Sequence, residues 1–255
     1  KWCEDGKWPA PTLEFLNQLV EAHQKHIVFE NLDAYYQKGP FTLSNSELYE
    51  KIIVKKRGGF CFELNGLFIN LLRTLGYRAW SCLCRVVRGG DVFRPVSHRG
   101  NLVMIEDKLY FCDVGFGGPM PCAAVLVESG LHQKIGGEEF WPVEEEYGWW
   151  SLWRIKKGNK DDFDEQQPAG EQMELLFQNS MADPKDFVIL SAYQTESPDA
   201  VFRKTLRANI RTDHGYKSVF DMTFTEKKDG ETVRRELKDE AERDLILKDV
   251  FGLCL

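Results

Sequence analysis

The sequence predicts an α+β protein, and two observations support this prediction. The hydrophobic period is 3.6 residues through the first third of the chain, which is typical of helices, and it changes to 2 from Tyr77 onward, which is typical of strands. The 255 residues, 43% of them hydrophobic, suffice for one large domain or for two to three small ones that share a core. We therefore expect a helical part followed by a mainly β part.

Three helices are predicted in the first third. Apolar residues at helical spacing predict the first helix over residues 12–26, with Thr12 as its N-cap. A capping-box pattern at its start predicts the second helix over residues 44–56. The third helix is predicted over residues 61–75, where an apolar stripe follows a glycine break and Gly76 supplies a stop signal.

Short segments with a period of two predict the β part. These segments are residues 77–86, a hairpin of 98–106 with 108–113, and residues 123–127 and 149–155. The charged stretch 156–170 predicts a surface loop.

The C-terminal third mixes both kinds of element. Asp183-Pro184 predicts the start of a helix that runs through Leu190, because Pro is favoured in the first helical turn. Residues 218–225 have the composition of one strand. A last amphipathic helix is predicted from Leu237 to Phe251, directly before Gly252.

Composition and charge exclude several classes of protein. The 33 basic and 40 acidic residues leave a net charge of −7, which argues against general nucleic-acid binding. No apolar run approaches the ~18 residues that a transmembrane helix requires, so we expect no membrane insertion. Seven cysteines at irregular spacing favour reduced thiols in a cytoplasmic protein. The chain begins at Lys1 without a signal-peptide pattern, and we expect further residues to precede it.

The sharpest local feature is a cysteine at the start of a predicted helix. Cys61 follows the break at Gly58-Gly59 and occupies the first turn. Unpaired N–H groups and the positive end of the helix dipole favour a thiolate at such a position, so Cys61 is a candidate nucleophile. The alternative is that Cys61 is a small buried hydrophobic residue, which is the commoner role of a free cysteine.

A nucleophilic cysteine needs a base and a group that orients the base, and His98 and Asp113 are the candidates. If Glu106-Asp107 forms a two-residue loop, His98 and Asp113 become diagonal neighbours on one face of the hairpin. A loop of odd length would place them on opposite faces. The alternative is a solvated strand histidine, with Asp113 capping the turn that follows it.

The remaining polar motifs indicate less chemistry. His23 and His26, three residues apart, lack further ligands, and Cys82-x-Cys84 lacks a second cysteine pair, so no metal site is predicted. Arg94 and Arg99 belong to a basic stretch that could contact phosphates beside His98, although a solvated hairpin explains the charge equally well. The glycine-rich loop that contains Gly117 could admit a ligand close to the backbone, but it matches no complete nucleotide-binding pattern.

Taken together, several motifs resemble one enzyme family. They are Phe29-Glu30-Asn31-Leu32-Asp33, Arg57-Gly58-Gly59-x-Cys61-Phe62-Glu63-x-Asn65, His98 with Leu102-Val103, Asp113-Val114-Gly115-Phe116-Gly117, Ser197-Pro198 with Phe202, and the ending Phe251-Gly252-Leu253-x-Leu255, where x is a position that carries no part of the resemblance. In order and spacing, over almost the whole chain, they resemble the arylamine N-acetyltransferases of bacterial type. Each motif alone is weak evidence for the family, whereas the complete set in this order is specific to it.

The resemblance implies a papain-like cysteine-acyltransferase architecture in three parts. Residues 1–77 would form a helical bundle that carries the cysteine, residues 78–182 a β-barrel that carries the histidine and the aspartate, and residues 183–255 an α/β lid. It also implies a catalytic triad of Cys61, His98 and Asp113.

The resemblance further implies the substrates. Acetyl-CoA would donate the acetyl group to an arylamine or arylhydrazine, or to the oxygen of an N-arylhydroxylamine, through an acetyl-cysteine, in xenobiotic metabolism. Phe29 and Phe116 would line the acceptor pocket, with Gly117 beside them, and Tyr193 and Phe202 would approach the coenzyme.

Three further residues would support the site in this family. Arg57 and Glu30 would form a buried ion pair that fixes the loop before the cysteine, and Asn65 would give additional support. The resemblance implies acetyl-CoA as a substrate and no permanently bound cofactor. We expect no nucleic-acid or membrane partner, and we expect the protein to be a monomer or a homodimer. Two alternatives remain open at this point: a cysteine hydrolase or transglutaminase-like enzyme, and a catalytically silent binder of acyl-CoA or arylamines.

Overall fold

The computed structural model describes residues 7–39, 41–88, 94–118, 120–156 and 169–253. Most of the predicted charged loop at 156–170 lies outside the described residues. No helix within these ranges has the length and apolar character needed to cross a membrane.

The N-terminal part is helical, as predicted. Helix α1 spans Leu13–His26, and its N-cap Thr12 accepts a hydrogen bond from the Phe15 N–H, which confirms the prediction for residues 12–26. A two-residue strand β1 (Phe29–Glu30) and a single-turn helix α2 (Leu32–Tyr35) follow, and neither was predicted.

The second predicted helix is present, but the prediction of a capping box at its start is wrong. Helix α3 (Asn45–Tyr49) continues directly into a π-helix at Glu50–Val54. The Ser44 hydroxyl bonds to the Glu47 carboxylate and caps no backbone N–H, because both side chains are exposed and pair with each other.

Helix α4 spans Cys61–Thr74 and confirms the third helix predicted in this part of the chain. A positive φ of 89° at Gly76 follows the helix, in a conformation that glycine adopts without steric cost.

One sheet of eight antiparallel strands forms a nearly closed barrel. Its strands are β2 (Arg78–Val86), β3 (His98–Ile105), β4 (Lys108–Cys112), β5 (Val125–Leu126), β6 (Gln133–Ile135), β7 (Glu138–Glu144), β8 (Trp149–Lys156) and β9 (Gly170–Gln178). The strand order is β5-β4-β3-β2-β9-β8-β7-β6. The Gln133 side chain joins the two edges, because it accepts from the Leu126 N–H and donates to the Leu126 carbonyl. Strands β6, β7 and β9 were not predicted.

The β3–β4 hairpin has a two-residue loop, which is the first of the two alternatives that the sequence left open. Ile105 pairs with Lys108 and Asn101 with Cys112, which is the register expected for a loop of that length. Glu106 and Asp107 both have positive φ, at 48° and 60°, as a tight hairpin turn requires.

A second sheet of five strands combines β1 of the N-terminal part with four strands of the C-terminal part. It has the order β1-β10-β11-β12-β13, with β10 (Arg207–Thr212), β11 (Gly215–Phe220), β12 (Thr223–Lys228) and β13 (Glu231–Glu236). The prediction of one strand over residues 218–225 is wrong. A two-residue turn at Asp221, whose φ is 48°, separates Phe220 from its partner Thr223.

Three helices complete the C-terminal part. Helix α5 (Pro184–Glu196) begins at its N-cap Asp183 as predicted and extends beyond Leu190. Helix α6 is the single turn Val201–Lys204, and helix α7 spans Glu240–Asp249. The predicted start of the last helix at Leu237 is wrong, because the Asp239 side chain accepts from the Glu242 N–H and caps the helix there.

Buried apolar residues form three clusters that position the site. One lies among α1, α4 and the barrel face that α4 covers, and it includes the fully buried Phe187 of α5. A second fills the barrel, and a third lies between the five-stranded sheet and α7. The outcome is an α+β fold in which α4 packs directly against β2 and β3.

Candidate active site

Cys61, His98 and Asp113 meet where α4 packs on the β3–β4 hairpin. Cys61 is the first residue of α4, His98 is the first residue of β3, and Asp113 directly follows β4. The distance from His98 Nε2 to Asp113 Oδ2 is 2.5 Å. The three residues are only 3%, 2% and 3% exposed, so their polar groups interact in a medium from which water is nearly excluded.

The His98 ring joins the cysteine to the aspartate. The Cys61 side chain is a hydrogen-bond partner of this ring, and its sulfur also lies 3.9 Å from the Ser97 carbonyl oxygen. Because Asp113 engages Nε2, Nδ1 is the ring nitrogen left for the sulfur. The predicted proximity of His98 and Asp113 is thus present in the structure.

The charge of His98 is set by its neighbours. Burial by itself would lower the pKa of His98, but the Asp113 carboxylate and the Cys61 sulfur raise it to about 10. The ring is therefore an imidazolium at neutral pH, paired with an acidic group on each side.

Asn65 holds the aspartate in place. Its side-chain amide donates to Asp113 Oδ1 at 2.7 Å and to the Arg99 carbonyl at 2.6 Å, while its oxygen accepts from the Val114 N–H at 3.0 Å. The Gly115 N–H donates to the same Asp113 oxygen at 2.8 Å. One turn of α4 thus connects the cysteine to the loop that carries the carboxylate.

The loop before Cys61 carries the predicted ion pair, between the half-buried Arg57 and the buried Glu30. Arg57 Nη2 lies 2.8 Å from Glu30 Oε1 and 2.9 Å from Asp33 Oδ1. The other oxygen of Glu30 accepts from the Leu32 N–H at 2.7 Å, and the Glu30 side chain is fully buried. Arg57 therefore joins β1 and α2 to the segment before α4.

Lys51 and Glu63 extend this network, and sequence reasoning missed both. Lys51 Nζ lies 2.6 Å from Glu63 Oε1 and 2.8 Å from Asp33 Oδ2. Burial raises the pKa of Glu63, and this effect outweighs the attraction of Lys51. The other Glu63 oxygen accepts from the Phe60 N–H at 3.0 Å, directly before the cysteine. Glu63 stands at the third helical position, where a carboxylate commonly caps, and this was the available signal.

Aromatic rings surround the triad. The Phe116 ring packs edge-on against His98 with centroids 5.5 Å apart. The Phe202 ring packs against Phe60 at 5.5 Å and against Phe29 at 6.1 Å. Phe29, Phe60 and Phe202 belong to the apolar cluster that contains Cys61, and with Phe116 they form an apolar wall beside the triad.

A cleft of about 470 Å³ opens beside this wall, and Phe29, Phe116 and Gly117 belong to its lining. Gly117 has a φ of 68°, and a Cβ there would lie 2.5 Å from the Phe29 ring, so only glycine fits. Of the predicted substrate residues, these three and Phe202 therefore lie together.

Three other predicted substrate residues lie apart from the triad. Tyr193 is 54% exposed on α5, and Arg94 is exposed ahead of β3. Arg99 follows His98 in β3, so its side chain leaves the opposite face of the strand, where it contacts Ser81 and Phe187.

The side chains that meet at this site are of the kinds that nucleophilic catalysis uses. Within the described ranges, no group of three or more His, Cys, Asp or Glu side chains is arranged to hold a metal ion. A buried thiol next to an imidazolium that a carboxylate orients is the arrangement of cysteine-based acyl transfer.

Comparisons with known proteins agree with this geometry. A family model for N-acetyltransferases matches residues 12–255. The arylamine N-acetyltransferase / N-hydroxyarylamine O-acetyltransferase of Salmonella typhimurium is 30% identical over 246 residues, which are 95% of this chain and 83% of that protein. The arylamine N-acetyltransferase of Escherichia coli is 29% identical over 262 residues, covering 96% of this chain and 85% of that one. The solved structure of Mycobacterium marinum arylamine N-acetyltransferase in complex with CoA has a TM-score of 0.86 at 27% identity, covering 95% of this chain and 87% of that one.

Proposed function

This chain belongs to the arylamine N-acetyltransferase family, and we propose that it transfers an acetyl group from acetyl-CoA through an acetyl-cysteine on Cys61. The acceptor is the nitrogen of an arylamine or arylhydrazine, or the oxygen of an N-arylhydroxylamine. The observation that supports this proposal is the buried arrangement of Cys61, His98 and Asp113.

The first half-reaction loads the enzyme. The Cys61 thiolate attacks the thioester carbonyl of acetyl-CoA, a new carbon–sulfur bond forms, and the bond to the CoA sulfur breaks. His98, an imidazolium at neutral pH, donates its proton to the departing CoA thiolate. The products are free CoA and an acetyl-cysteine beside a neutral imidazole.

The second half-reaction regenerates the enzyme. The amine nitrogen attacks the acetyl-cysteine carbonyl, and the bond to the Cys61 sulfur breaks. His98 takes the proton that the nitrogen loses, which restores the imidazolium and the thiolate. Asp113 keeps the ring in one orientation and stabilises its positive charge in both steps.

The apolar wall protects the intermediate from hydrolysis. An acetyl thioester survives until an amine arrives only if water is kept from it; Phe60 and Phe202 share a buried apolar cluster with Cys61, and Phe116 packs on the His98 ring. Phe29, Phe116 and Gly117 would contact the aromatic acceptor. For the coenzyme, we keep Phe202, Tyr193 and Arg94 as candidate contacts, and not Arg99, because its side chain leaves the strand face opposite His98.

The three-part division of the fold belongs to the same proposal, with a helical part at 1–77, a barrel at 78–182 and a lid at 183–255. Its support is that the eight strands of the barrel come from residues 78–178, while the nucleophile comes from a helix packed on them. The pairing of β1 with β10 shows that the five-stranded sheet also borrows a strand from the first part.

The decisive experiment measures CoA release and the acetyl adduct together. With acetyl-CoA alone, intact-mass analysis should find one acetyl group per chain, and peptide mapping should place it on Cys61. Adding an arylamine should remove the adduct and make CoA release continuous. Cys61→Ala should lose both signals, whereas Cys122→Ala, at a half-buried cysteine in the cleft lining, should keep both.

Three outcomes would contradict the proposal. Continuous CoA release without an amine would indicate a hydrolase. An adduct on Cys82, Cys84 or Cys112 would mean that another thiol is the nucleophile. Binding of acetyl-CoA with neither adduct nor turnover would indicate a silent binder.

A further inference from the structure

A second cavity lies on a different face of α4 from Cys61. Its volume is about 590 Å³, and it is bounded by the segment 41–45, by Gly66, Asn70 and Arg73 of α4, and by α5. None of its lining residues belongs to the cleft that contains Phe29 and Phe116. Its size is within the usual range for small-molecule pockets.

Arg99 supplies a buried cation to this cavity. The residue is only 7% exposed, and its guanidinium stacks over the Phe187 ring at 4.4 Å. Its Nε donates to the Ser81 hydroxyl at 3.0 Å, and Nη1 reaches the Phe62 carbonyl at 3.4 Å. In the part of the chain that the structure describes, Nη2 has no hydrogen-bond partner.

The cation reaches the cavity because position 66 has no side chain. A Cβ at Gly66 would lie 2.8 Å from Nη1 of Arg99, so any other residue would displace the guanidinium. The Arg99 guanidinium thus lines the cavity beside Gly66, on the strand face opposite the catalytic histidine that precedes it.

No described carboxylate neutralises Arg99. Within the described ranges, no acidic oxygen lies within ion-pair distance of its guanidinium, which leaves a buried charge without a counter-ion. Burial lowers the pKa of Arg99 to about 10 against the opposing influence of the Cys61 and Cys82 sulfurs, and no carboxylate contributes to the shift. The group is still charged at neutral pH.

The surroundings add positive charge and apolar surface. Arg73 and Lys185 also line the cavity, against one lining carboxylate, Glu196. Glu47 lies nearby, but it is engaged by the hydroxyls of Thr42 and Ser44. Apolar lining comes from Phe41, Leu43, Ile69 and Val188.

We propose that this cavity binds a small amphipathic anion, whose carboxylate or phosphate pairs with Arg99 and whose apolar part packs against Leu43 and Ile69. A guanidinium can bind either oxyanion with two parallel hydrogen bonds, and Nη2 is available for one of them. Lys185 and Arg73 strengthen the attraction at the mouth of the cavity. The ligand is distinct from the substrates of the triad, because it occupies another face of α4.

Calorimetric titration of the full chain tests the proposal with three probes of one shape: benzoate, phenyl phosphate and the neutral benzamide. We expect at least one anion to bind ten-fold or more tightly than benzamide, and the stronger of the two identifies the preferred oxyanion. Raising the salt concentration should weaken anion binding and leave benzamide unchanged.

Variants locate the binding. Arg99→Gln should abolish the preference for anions over benzamide. Lys185→Gln should weaken anion binding about three-fold, since Lys185 is exposed at the mouth. The matched control Lys55→Gln removes an exposed lysine outside the cavity and should change nothing.

If Arg99→Gln does not fold, Lys185→Gln still tests the proposal, because Lys185 is exposed and its replacement leaves the core intact. Equal binding of anions and benzamide would overturn the proposal. So would anion binding that is the same in Lys185→Gln as in Lys55→Gln, because the anion would then occupy another place.

Discussion

The Asp113 carboxylate controls the charge of one neighbouring residue, His98. Replacing it in Asp113→Asn removes a charge that raises the pKa of His98, while burial, which lowers it, remains. We expect this pKa to fall from about 10 toward or below the usual ~6.5, and acetyl transfer to fall by about 10³ to 10⁴. NMR titration of the imidazole nitrogens and steady-state kinetics measure the two effects.

The same substitution changes stability at high pH. Protonated His98 stabilises the native state fully below pH ~6.5, and this contribution is lost as the pH rises through about 10. The free energy of unfolding of Asp113→Asn should therefore fall less than that of the wild type as the pH rises from ~6.5 to about 10. Asp107→Asn, in the exposed turn of the same hairpin, is the control. An unchanged His98 titration in Asp113→Asn would remove the aspartate from its proposed role.

At the scale of elements, the contact between α1 and α4 contains a histidine that is buried without charge. The His23 ring packs edge-on against Phe68 at 5.5 Å, and neither ring nitrogen has a hydrogen-bond partner among the described residues. The two histidines of α1 therefore do not share one environment: His23 faces the core, while His26 faces solvent. Burial lowers the pKa of His23 to about 4.

This packing predicts a pH-dependent stability. Above pH ~6.5 His23 is neutral in both states. Between pH 6.5 and 4 the unfolded chain binds a proton that the native state does not, so the free energy of unfolding falls by about 3 kcal/mol. His23→Leu should remove this loss, measured by urea unfolding at pH 7 and pH 4.5. His26→Leu should retain it. Parallel pH profiles of His23→Leu and the wild type would contradict the prediction.

At the scale of the whole molecule, Asn31 joins the C-terminal part to the helical part. Its side-chain amide donates to the carbonyls of Phe202 at 3.0 Å and Thr205 at 2.8 Å, and its oxygen accepts from the Arg207 N–H at 2.7 Å. The residue is almost completely buried, so water cannot replace these bonds. The connection also positions Phe202 against the rings beside Cys61.

Asn31→Ala should therefore destabilise the molecule as a whole. Three hydrogen bonds at about 1 kcal/mol each predict a loss of about 3 kcal/mol in the free energy of unfolding. Amide exchange should also quicken around residues 202–207, and the KM for acetyl-CoA should rise as Phe202 loses its support. Asn179→Ala, at an exposed asparagine, is the control. Equal free energies of unfolding for Asn31→Ala and Asn179→Ala would show that the Asn31 hydrogen bonds do not stabilise the fold.

The sequence by itself determined the features that depend on neighbours along the chain. The glycine break before Cys61 and the stripe after it define the start of α4 through local backbone geometry. For the β3–β4 hairpin the sequence determined only what each loop length would imply: with two residues in the turn, the register carries His98 toward Asp113, because strand pairing propagates from the turn. Strand β9 was missed because Leu175, Leu176 and Phe177 are consecutive and buried, which hides the alternation of a strand.

Only the tertiary structure decided which side chains share a space. Lys51 reaches Glu63 because α3, which continues into the π-helix, packs against α4, and no spacing along the chain encodes that distance. Arg99 is adjacent to His98 in sequence and yet enters a different cavity, since successive strand residues leave opposite faces and the packed helices decide what each face meets. Local sterics act over a few residues, whereas contacts between elements depend on how their buried faces fit together, and that fit exists only in the folded chain.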